Sequence, residues 1–144
     1  MDESGKRIHP RVAEVVAGPD RAIMASFGMT VVQAADGCCE MAALVTRELI
    51  NASGFGHGGI AFSIMDTACA YALSSTEVRG VTVNANVTYV KGVVAGSQLF
   101  GRAEIASRTR RVATLRGEVS LATENGLELA AHGTFVFQLI EPRN

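Results

Sequence analysis

Residues 58–75 read GGIAFSIMDTACAYALSS, a run that places apolar side chains on nearly every face of a helix. A helix that is apolar all round is buried rather than laid on a surface. The most apolar part, residues 60–73, is too short to cross a bilayer and contains the carboxylate Asp66. The run therefore predicts one long helix at the centre of the fold, ending near Ser75.

The sequence on both sides of this helix alternates apolar and polar residues with the period of a strand. The predicted strands span residues 30–35 and 38–47 before the helix, and residues 81–89, 98–107, 112–123 and 127–139 after it. Asp36-Gly37 and Asn125-Gly126 are two-residue hairpin signals. The alternation places on one face of their strand Val81, Val83, Ala85, Val87 and Tyr89. In the last strand it places on one face Leu127, Leu129, Ala131, Gly133, Phe135, Phe137 and Leu139.

The first 25 residues differ from this pattern and form a predicted N-terminal extension with short helices. Residues 10–27 favour one or two helices, broken at Gly18-Pro19, with Asp20 as an N-cap. Residues 26–140 form the main domain, an antiparallel sheet of five or six strands around the buried helix. This α+β arrangement is the hot-dog fold, in which a long sheet curls around one helix.

Composition excludes several classes of protein. The chain has 144 residues, which fits one domain, and its net charge of −1 excludes a strongly basic nucleic-acid binder. Three cysteines without CxxC spacing and three scattered histidines predict neither a disulfide framework nor a zinc site. The polar residues 1–7 are followed by no apolar run, so we expect a cytoplasmic protein without a secretory signal or a membrane span.

Asp66 is the most informative residue, because its neighbours along the helix are almost all apolar. A buried carboxylate without a partner is costly, so something must offset that cost. The residue is either a catalytic base or nucleophile in a cleft, or a structural aspartate that is hydrogen-bonded or faces water at a sheet edge.

A glycine-rich segment, residues 51–59 with the sequence NASGFGHGG, leads into the helix. The start of a helix offers unpaired N–H groups and a partial positive charge, and glycines let a ligand approach the backbone. The segment either holds an oxyanion or only makes a tight turn. Gly58 and Asp66 are eight residues apart, roughly 12 Å along the helix axis. If both act in one site, that site is formed by two chains with antiparallel helices around a two-fold axis.

The spacing Asn51-(x)5-His57-Gly58-Gly59-(x)6-Asp66 resembles the signature of hot-dog acyl-CoA thioesterases of the PaaI, or phenylacetate-degradation, type. The resemblance covers about residues 25–139. It implies a homodimer, assembled further into a homotetramer, that hydrolyses an acyl-CoA without a metal or redox cofactor. The acyl group stays open among aryl-acetyl, aroyl and medium-chain fatty groups.

The same resemblance implies a role for each matched residue. Asp66 activates water or attacks directly, and the Gly58 amide polarises the thioester carbonyl. His57 and Asn51 hold the loop, and Thr82 stands where relatives carry a serine that positions water. Residues implied to contact the substrate, including the CoA phosphates, are Gly59, Ser107, Arg108, Arg110 and Arg111.

Two other functions of the same fold remain open. One is an enoyl-CoA hydratase or dehydratase, although those enzymes use a histidine in a different motif. The other is a non-catalytic protein that binds acyl-CoA. Neither alternative involves nucleic acid or a membrane.

Overall fold

The computed structural model describes residues 5–140, which form one six-stranded sheet packed against a central helix. The helices are α1 (Pro10–Ala17), α2 (Arg21–Ser26) and α3 (Gly58–Ser74), with a 3₁₀ turn at Arg47–Leu49. The strands are β1 (Met29–Ala35), β2 (Cys38–Leu44), β3 (Arg79–Tyr89), β4 (Gln98–Arg108), β5 (Val112–Thr123) and β6 (Gly126–Ile140). All neighbours in the order β1-β2-β4-β5-β6-β3 are antiparallel. The predicted hot-dog fold is confirmed.

Helix α3 lies close to the sheet because two strand residues opposite it have no side chain. A Cβ on Gly101 would lie 2.3 Å from Cγ2 of Ile64, and a Cβ on Gly117 would lie 3.1 Å from Cβ of Met65. Both distances are below ordinary packing contacts, so larger residues would push the helix away. The inner face of the sheet, which contacts α3, therefore forms a closely packed core.

One side of α3 is not covered by the sheet, which corrects the prediction of a helix buried all round. Phe62 is 37% exposed, and Ser63, Asp66, Thr67 and Ala70 are only partly buried. A single sheet can cover only one side of a helix, and the apolar sequence gives no sign of which side remains open. We call this row of residues the open strip of α3.

Strand β3 contains an extra residue that changes which side chains face the helix. Thr82 pairs with Phe137 and Asn84 pairs with Val136, so Val83 has no partner of its own. Such a bulge reverses the alternation on one side of it. Thr82 therefore shares the inner face with the buried Phe137, whereas the prediction grouped Val81 and Val83 on one face with Ala85. Val81 and Val83 are instead largely exposed.

A second extra residue, Ala130, changes the phase of β6 in the same way. Val119 pairs with Ala131, but Ser120 pairs with Leu129, and the side chains of Leu127 and Leu129 lie on the outer face. The prediction that one face carries every second residue from 127 to 139 is therefore wrong for its first two members.

The two hairpin predictions have different outcomes. Asp36 and Gly37 have φ of 53° and 81°, the positive values of a tight two-residue turn, so the first hairpin is confirmed. In the second hairpin Thr123 pairs with Gly126, so the turn lies one residue earlier than predicted. Gly126, with φ of 106°, is already the first residue of β6. Strand β2 also ends at Leu44, before the predicted residue 47.

The N-terminal helices break between residues 17 and 21, as predicted, and pack on the same core as α3. Val12 and Met24 belong to this core. Asp20 stands at the N-cap position of α2, but its side chain makes no capping bond. It instead accepts a hydrogen bond from Tyr71 Oη of α3 at 2.7 Å. The boundary between residues 25 and 26 stays a prediction.

The two edges of the sheet differ in the part of the chain that the structure describes. At the β1 edge, Ala34 donates to the carbonyl of Arg7 at 2.9 Å and accepts from the N–H of His9 at 2.8 Å. The β3 edge has no such neighbour among residues 5–140. None of the described helices is long and apolar enough to span a membrane.

Candidate active site

Asp66 and Thr82 meet on the open strip of α3, where the edge strand β3 passes the helix. The Thr82 hydroxyl donates to Oδ1 of Asp66 at 2.6 Å. Asp66 is only partly buried in the single chain, and Thr82 supplies the partner that a carboxylate among apolar neighbours requires. Because Thr82 uses one carboxylate oxygen, the other oxygen remains available to accept a proton.

Cys69 lies close to this carboxylate but does not share its chemistry. It is fully buried, and burial together with the negative charge of Asp66 raises the pKa of its thiol. A thiol in such surroundings stays protonated and is not a nucleophile. The interpretation of Cys69 as a core residue is confirmed.

The loop before α3 is ordered by the side chain of Asn51. Its Oδ1 accepts from the N–H of Ser53 at 2.9 Å and from the N–H of Phe55 at 3.1 Å. The loop is also tied to its surroundings, since Gly56 N–H donates to Val93 O and His57 N–H donates to the carbonyl of Leu49, each at 2.7 Å. These bonds fix the point at which the chain enters the helix.

His57 is the N-cap of α3, and its ring acts as the cap. Nδ1 accepts the N–H of Gly59 at 2.9 Å. A ring nitrogen that accepts a hydrogen bond carries no proton, so Nε2 is the ring nitrogen left to donate. The N–H of Gly59 is therefore already used. Of the two glycines predicted to contact substrate, only Gly58 has an amide that remains available.

The Gly58 amide is the first of the helix and has no acceptor within it. No hydrogen bond from this N–H occurs among the described residues. The carbonyl of Gly58 accepts a hydrogen bond from Tyr89 Oη at 2.8 Å. The sequence indicated only that Tyr89 lies on the inner face of its strand, so its contact with Gly58 was missed.

A cavity of about 300 Å³ has Gly58 in its lining. Its lining includes the exposed Asn51, His57 and Gly58 and the fully buried Leu99 and Val119. This volume is at the lower end of the range for small-molecule sites. The cavity is lined by Asn51, Phe55, Gly56, His57, Gly58, Ala61, Tyr89, Val90, Lys91, Gly92, Val93, Leu99, Val119 and Ala130.

Lys91 is a second lining residue that the sequence did not indicate. Its ammonium group forms an ion pair with Glu128 of the neighbouring strand β6. The pair places a cation at this cavity, but the carboxylate of Glu128 balances its charge. No periodicity or motif distinguishes Lys91 from other surface lysines.

Within one chain, the two groups that the sequence assigned to one site lie far apart. Asp66 and Thr82 do not line the cavity beside Gly58. Along α3 the rise of ~1.5 Å per residue puts Gly58 and Asp66 roughly 12 Å apart. Each chain therefore presents two half-sites, one with a free amide and a cavity, the other with a carboxylate and a hydroxyl.

The predicted phosphate-binding residues lie at the Asp66 end of the sheet. Arg108 pairs with Ala113, which pairs with Phe137, which pairs with Thr82. This row crosses three strand spacings, so the Cα atoms of Arg108 and Thr82 are roughly 14 Å apart. Arg108 shares the inner face with Thr82.

The other residues of this turn are arranged differently. Ser107 pairs with Thr114 and therefore faces the outer side of the sheet, away from Asp66. Arg110 and Arg111 are exposed in the turn, which Thr109 shapes by accepting the N–H of Val112 at 3.2 Å. Among residues 5–140, no three His, Cys, Asp or Glu side chains converge as metal ligands.

The fold and the paired half-sites define a protein of the hot-dog class with a helix-end amide and a carboxylate. Residues 53–127 match the model of the thioesterase superfamily, and the chain belongs to this family. The resemblance to the PaaI type is confirmed. A variant of the phenylacetic acid degradation protein PaaI from Thermus thermophilus is 29% identical, with a TM-score of 0.74 over 81% of this chain and 97% of that chain.

Two further relatives match a shorter segment of the chain. A putative esterase from Archaeoglobus fulgidus is 28% identical over 69% of this chain and 65% of its own length. The acyl-coenzyme A thioesterase PaaI of Escherichia coli is 28% identical over 56% of this chain and 57% of its own length. The matched segment thus spans less than two thirds of each of these relatives.

Proposed function

We propose that the protein hydrolyses acyl-CoA thioesters to a free acid and CoA. The observation that carries this proposal is the pair of half-sites: a free Gly58 amide beside a cavity, and an Asp66 carboxylate held by Thr82. Membership of the thioesterase superfamily supports it. The acyl group is an aryl-acetyl, aroyl or medium-chain group, and the proposed location is the cytoplasm.

We further propose that two chains join to complete each site. The β3 edge and the open strip of α3 are adjacent, and both carry surface that this chain leaves uncovered. A two-fold axis beside β3 would pair the two β3 strands antiparallel and bring Asp66 of one chain towards Gly58 of the other. Such pairing would cover the exposed Val81 and Val83, and two such dimers would form the proposed tetramer.

In the completed site the Gly58 amide donates to the thioester oxygen, which becomes negatively charged when the carbonyl is attacked. The free oxygen of Asp66 accepts a proton from water, and the water oxygen attacks the carbonyl carbon. The tetrahedral intermediate then breaks its C–S bond, and the proton held by Asp66 passes to the departing CoA thiolate. Direct attack by Asp66, giving an anhydride that water cleaves, is the alternative.

The positions of the cavity and the arginines support one orientation of the substrate. The acyl group enters the cavity beside Gly58, and the nucleotide end lies towards Arg108, Arg110 and Arg111 of the chain that supplies Asp66. Arginine is suited to this contact because its planar fork donates two hydrogen bonds to a phosphate. No metal or redox cofactor takes part in the proposed reaction.

Replacing Asp66 by asparagine tests the reaction most directly. Asparagine still accepts from Thr82 but cannot take a proton, so kcat should fall by about 10²- to 10⁴-fold with the fold intact. The measurement is thiol release from a panel of acyl-CoA esters, with circular dichroism as the check on folding. Activity of Asp66→Asn within tenfold of wild type would refute the proposed role.

The matched control is Asp36→Asn, at an exposed hairpin position where φ is 53° and asparagine is tolerated. Its activity should equal that of wild type. The same panel also separates the alternatives. Loss of enoyl-CoA absorbance without thiol release would indicate a hydratase, and tight binding with neither reaction would indicate a binding protein.

A further inference from the structure

We infer that Tyr89 is a positioning residue that fixes the direction of the Gly58 amide. This inference rests on the proposed function, in which that amide polarises the thioester carbonyl. Tyr89 is the last residue of β3, and its hydroxyl donates to the carbonyl of Gly58 at 2.8 Å. Its ring also lies against Gly58, since a Cβ there would be 3.3 Å from Oη of Tyr89.

The peptide unit between Gly58 and Gly59 has both of its polar atoms hydrogen-bonded. The carbonyl of Gly58 is bound by Tyr89, and the N–H of Gly59 is bound by the His57 ring at 2.9 Å. The peptide unit between His57 and Gly58 contains the Gly58 amide. Its carbonyl, that of His57, accepts the N–H of Ile60 at 2.9 Å. These three bonds leave the N–H of Gly58 fixed in direction and free to donate.

The need for this restraint follows from the sequence. Gly58 and Gly59 are adjacent glycines, and a glycine backbone is the freest of any residue. An oxyanion donor is most effective when it is oriented before the reaction begins. Tyr89 is 54% exposed, so burial does not require its hydroxyl to bind protein rather than water. We therefore attribute the hydrogen bond between Tyr89 and Gly58 to its restraint of the backbone at the start of α3.

The same strand also supports the other half-site. Thr82 binds Asp66, and Tyr89, seven residues further along β3, binds Gly58. Strand β3 thus sets the position of the carboxylate and the direction of the amide together. A movement of this strand would alter both catalytic groups.

The test is the variant Tyr89→Phe, which removes only the hydroxyl. We expect kcat to fall about three- to tenfold with KM changed less than twofold, because the lost restraint acts in the transition state. The control is Tyr71→Phe, which removes the hydroxyl of the other tyrosine, bound to Asp20. It should lower the melting temperature and leave kcat unchanged. An unchanged kcat in Tyr89→Phe, or an equal loss in both variants, would overturn the inference.

A second readout does not depend on activity. Hydrogen exchange at the Gly59 amide, followed by NMR, should be at least threefold faster in Tyr89→Phe than in wild type and unchanged in Tyr71→Phe. Equal exchange rates in Tyr89→Phe and wild type would overturn the inference. If wild type releases no thiol from any ester, the proposed function fails, and the exchange rates alone decide whether Tyr89 restrains the helix start.

Discussion

Thr82 reaches Asp66 only because β3 contains one residue more than the segment of β6 with which it pairs. Without the bulge at Val83, the alternation that places Ala85 on the inner face would place Thr82 on the outer face. A hydroxyl donating at 2.6 Å to the carboxylate fixes the orientation of Asp66 and selects which oxygen is free. The chemistry of the proposed site thus depends on a local irregularity of the backbone.

At this position, the presence of a hydroxyl should matter more than the identity of the residue. In Thr82→Val the carboxylate loses its donor, and we expect kcat to fall about tenfold, since a hydrogen bond to a charged group is stronger than one between neutral groups. Thr82→Ser retains the hydroxyl and should remain within threefold of wild type. Steady-state kinetics on the best ester would check both values, and equal rates for Val and Ser would contradict the assigned role.

At the residue scale, the sequence pointed to some members of the proposed site and missed others. The resemblance to known thioesterases pointed to Asp66, Gly58 and Thr82, and the structure brings Thr82 to Asp66. Strand alternation alone would have placed Thr82 on the wrong face, because nothing in composition marks a bulge. Tyr89 was missed for a related reason: its partner is a backbone carbonyl, and any residue could supply one.

At the scale of elements, α1 and α3 begin in the same way. His9 precedes α1 with φ −54° and ψ 136°, and its ring caps the helix with Pro10 as the first helical residue. His57 precedes α3 with φ −55° and ψ 138°, and its ring caps that helix with Gly58 in the first position. The main difference at the first position is that proline has no N–H, so α1 cannot offer the amide that α3 offers.

The similarity between the starts of α1 and α3 suggests a substitution that removes the backbone N–H of residue 58. Gly58→Pro should leave the helix start intact, because the φ and ψ of His57 suit a residue before proline. The variant should lose about 10²- to 10³-fold in kcat, the effect of removing an oxyanion donor. Gly58→Ala keeps the N–H and adds a Cβ 3.3 Å from Oη of Tyr89, so its loss should not exceed the about three- to tenfold expected for Tyr89→Phe. Kinetics would decide, and similar losses in both variants would mean that the amide is not the donor.

The elements themselves were largely predictable from periodicity. The helix from Gly58 and all six strands were expected close to their observed bounds, the helix from its long apolar run and the strands from their period of two. Errors concentrate where the period is interrupted, at Val83, at Ala130 and at the turn before Gly126. An apolar helix likewise predicts burial without saying what covers it, which explains the open strip of α3.

At the scale of the whole molecule, each chain carries two incomplete half-sites, one at the start of α3 and the other at its middle. A second chain related by a two-fold axis would complete both sites at once, so the number of sites would equal the number of chains. The sequence predicted this requirement from helix geometry alone. The oligomeric state stays a prediction, and mixing two inactive variants tests it through activity.

Two inactive variants should restore each other if the site is shared. A mixed dimer of Asp66→Ala and Gly58→Pro chains has one site with both groups intact and one site with neither. Equal mixing with subunit exchange should therefore recover about one quarter of wild-type activity. The measurement is thiol release after the two purified proteins are mixed, unfolded and refolded together. No recovery, with native mass spectrometry showing that mixed dimers had formed, would place both groups of a working site in one chain.

The segment beside β1 affects how these chains can associate. Residues 7–9 bond to Ala34 near the end of β1, whereas β3 has no such neighbour among the described residues. A segment bonded at this position stands in the way of another strand that would pair along β1. Edge-to-edge association is then favoured at β3, and the segment at Ala34 hinders extension into a fibre, the hazard that an exposed sheet edge usually presents.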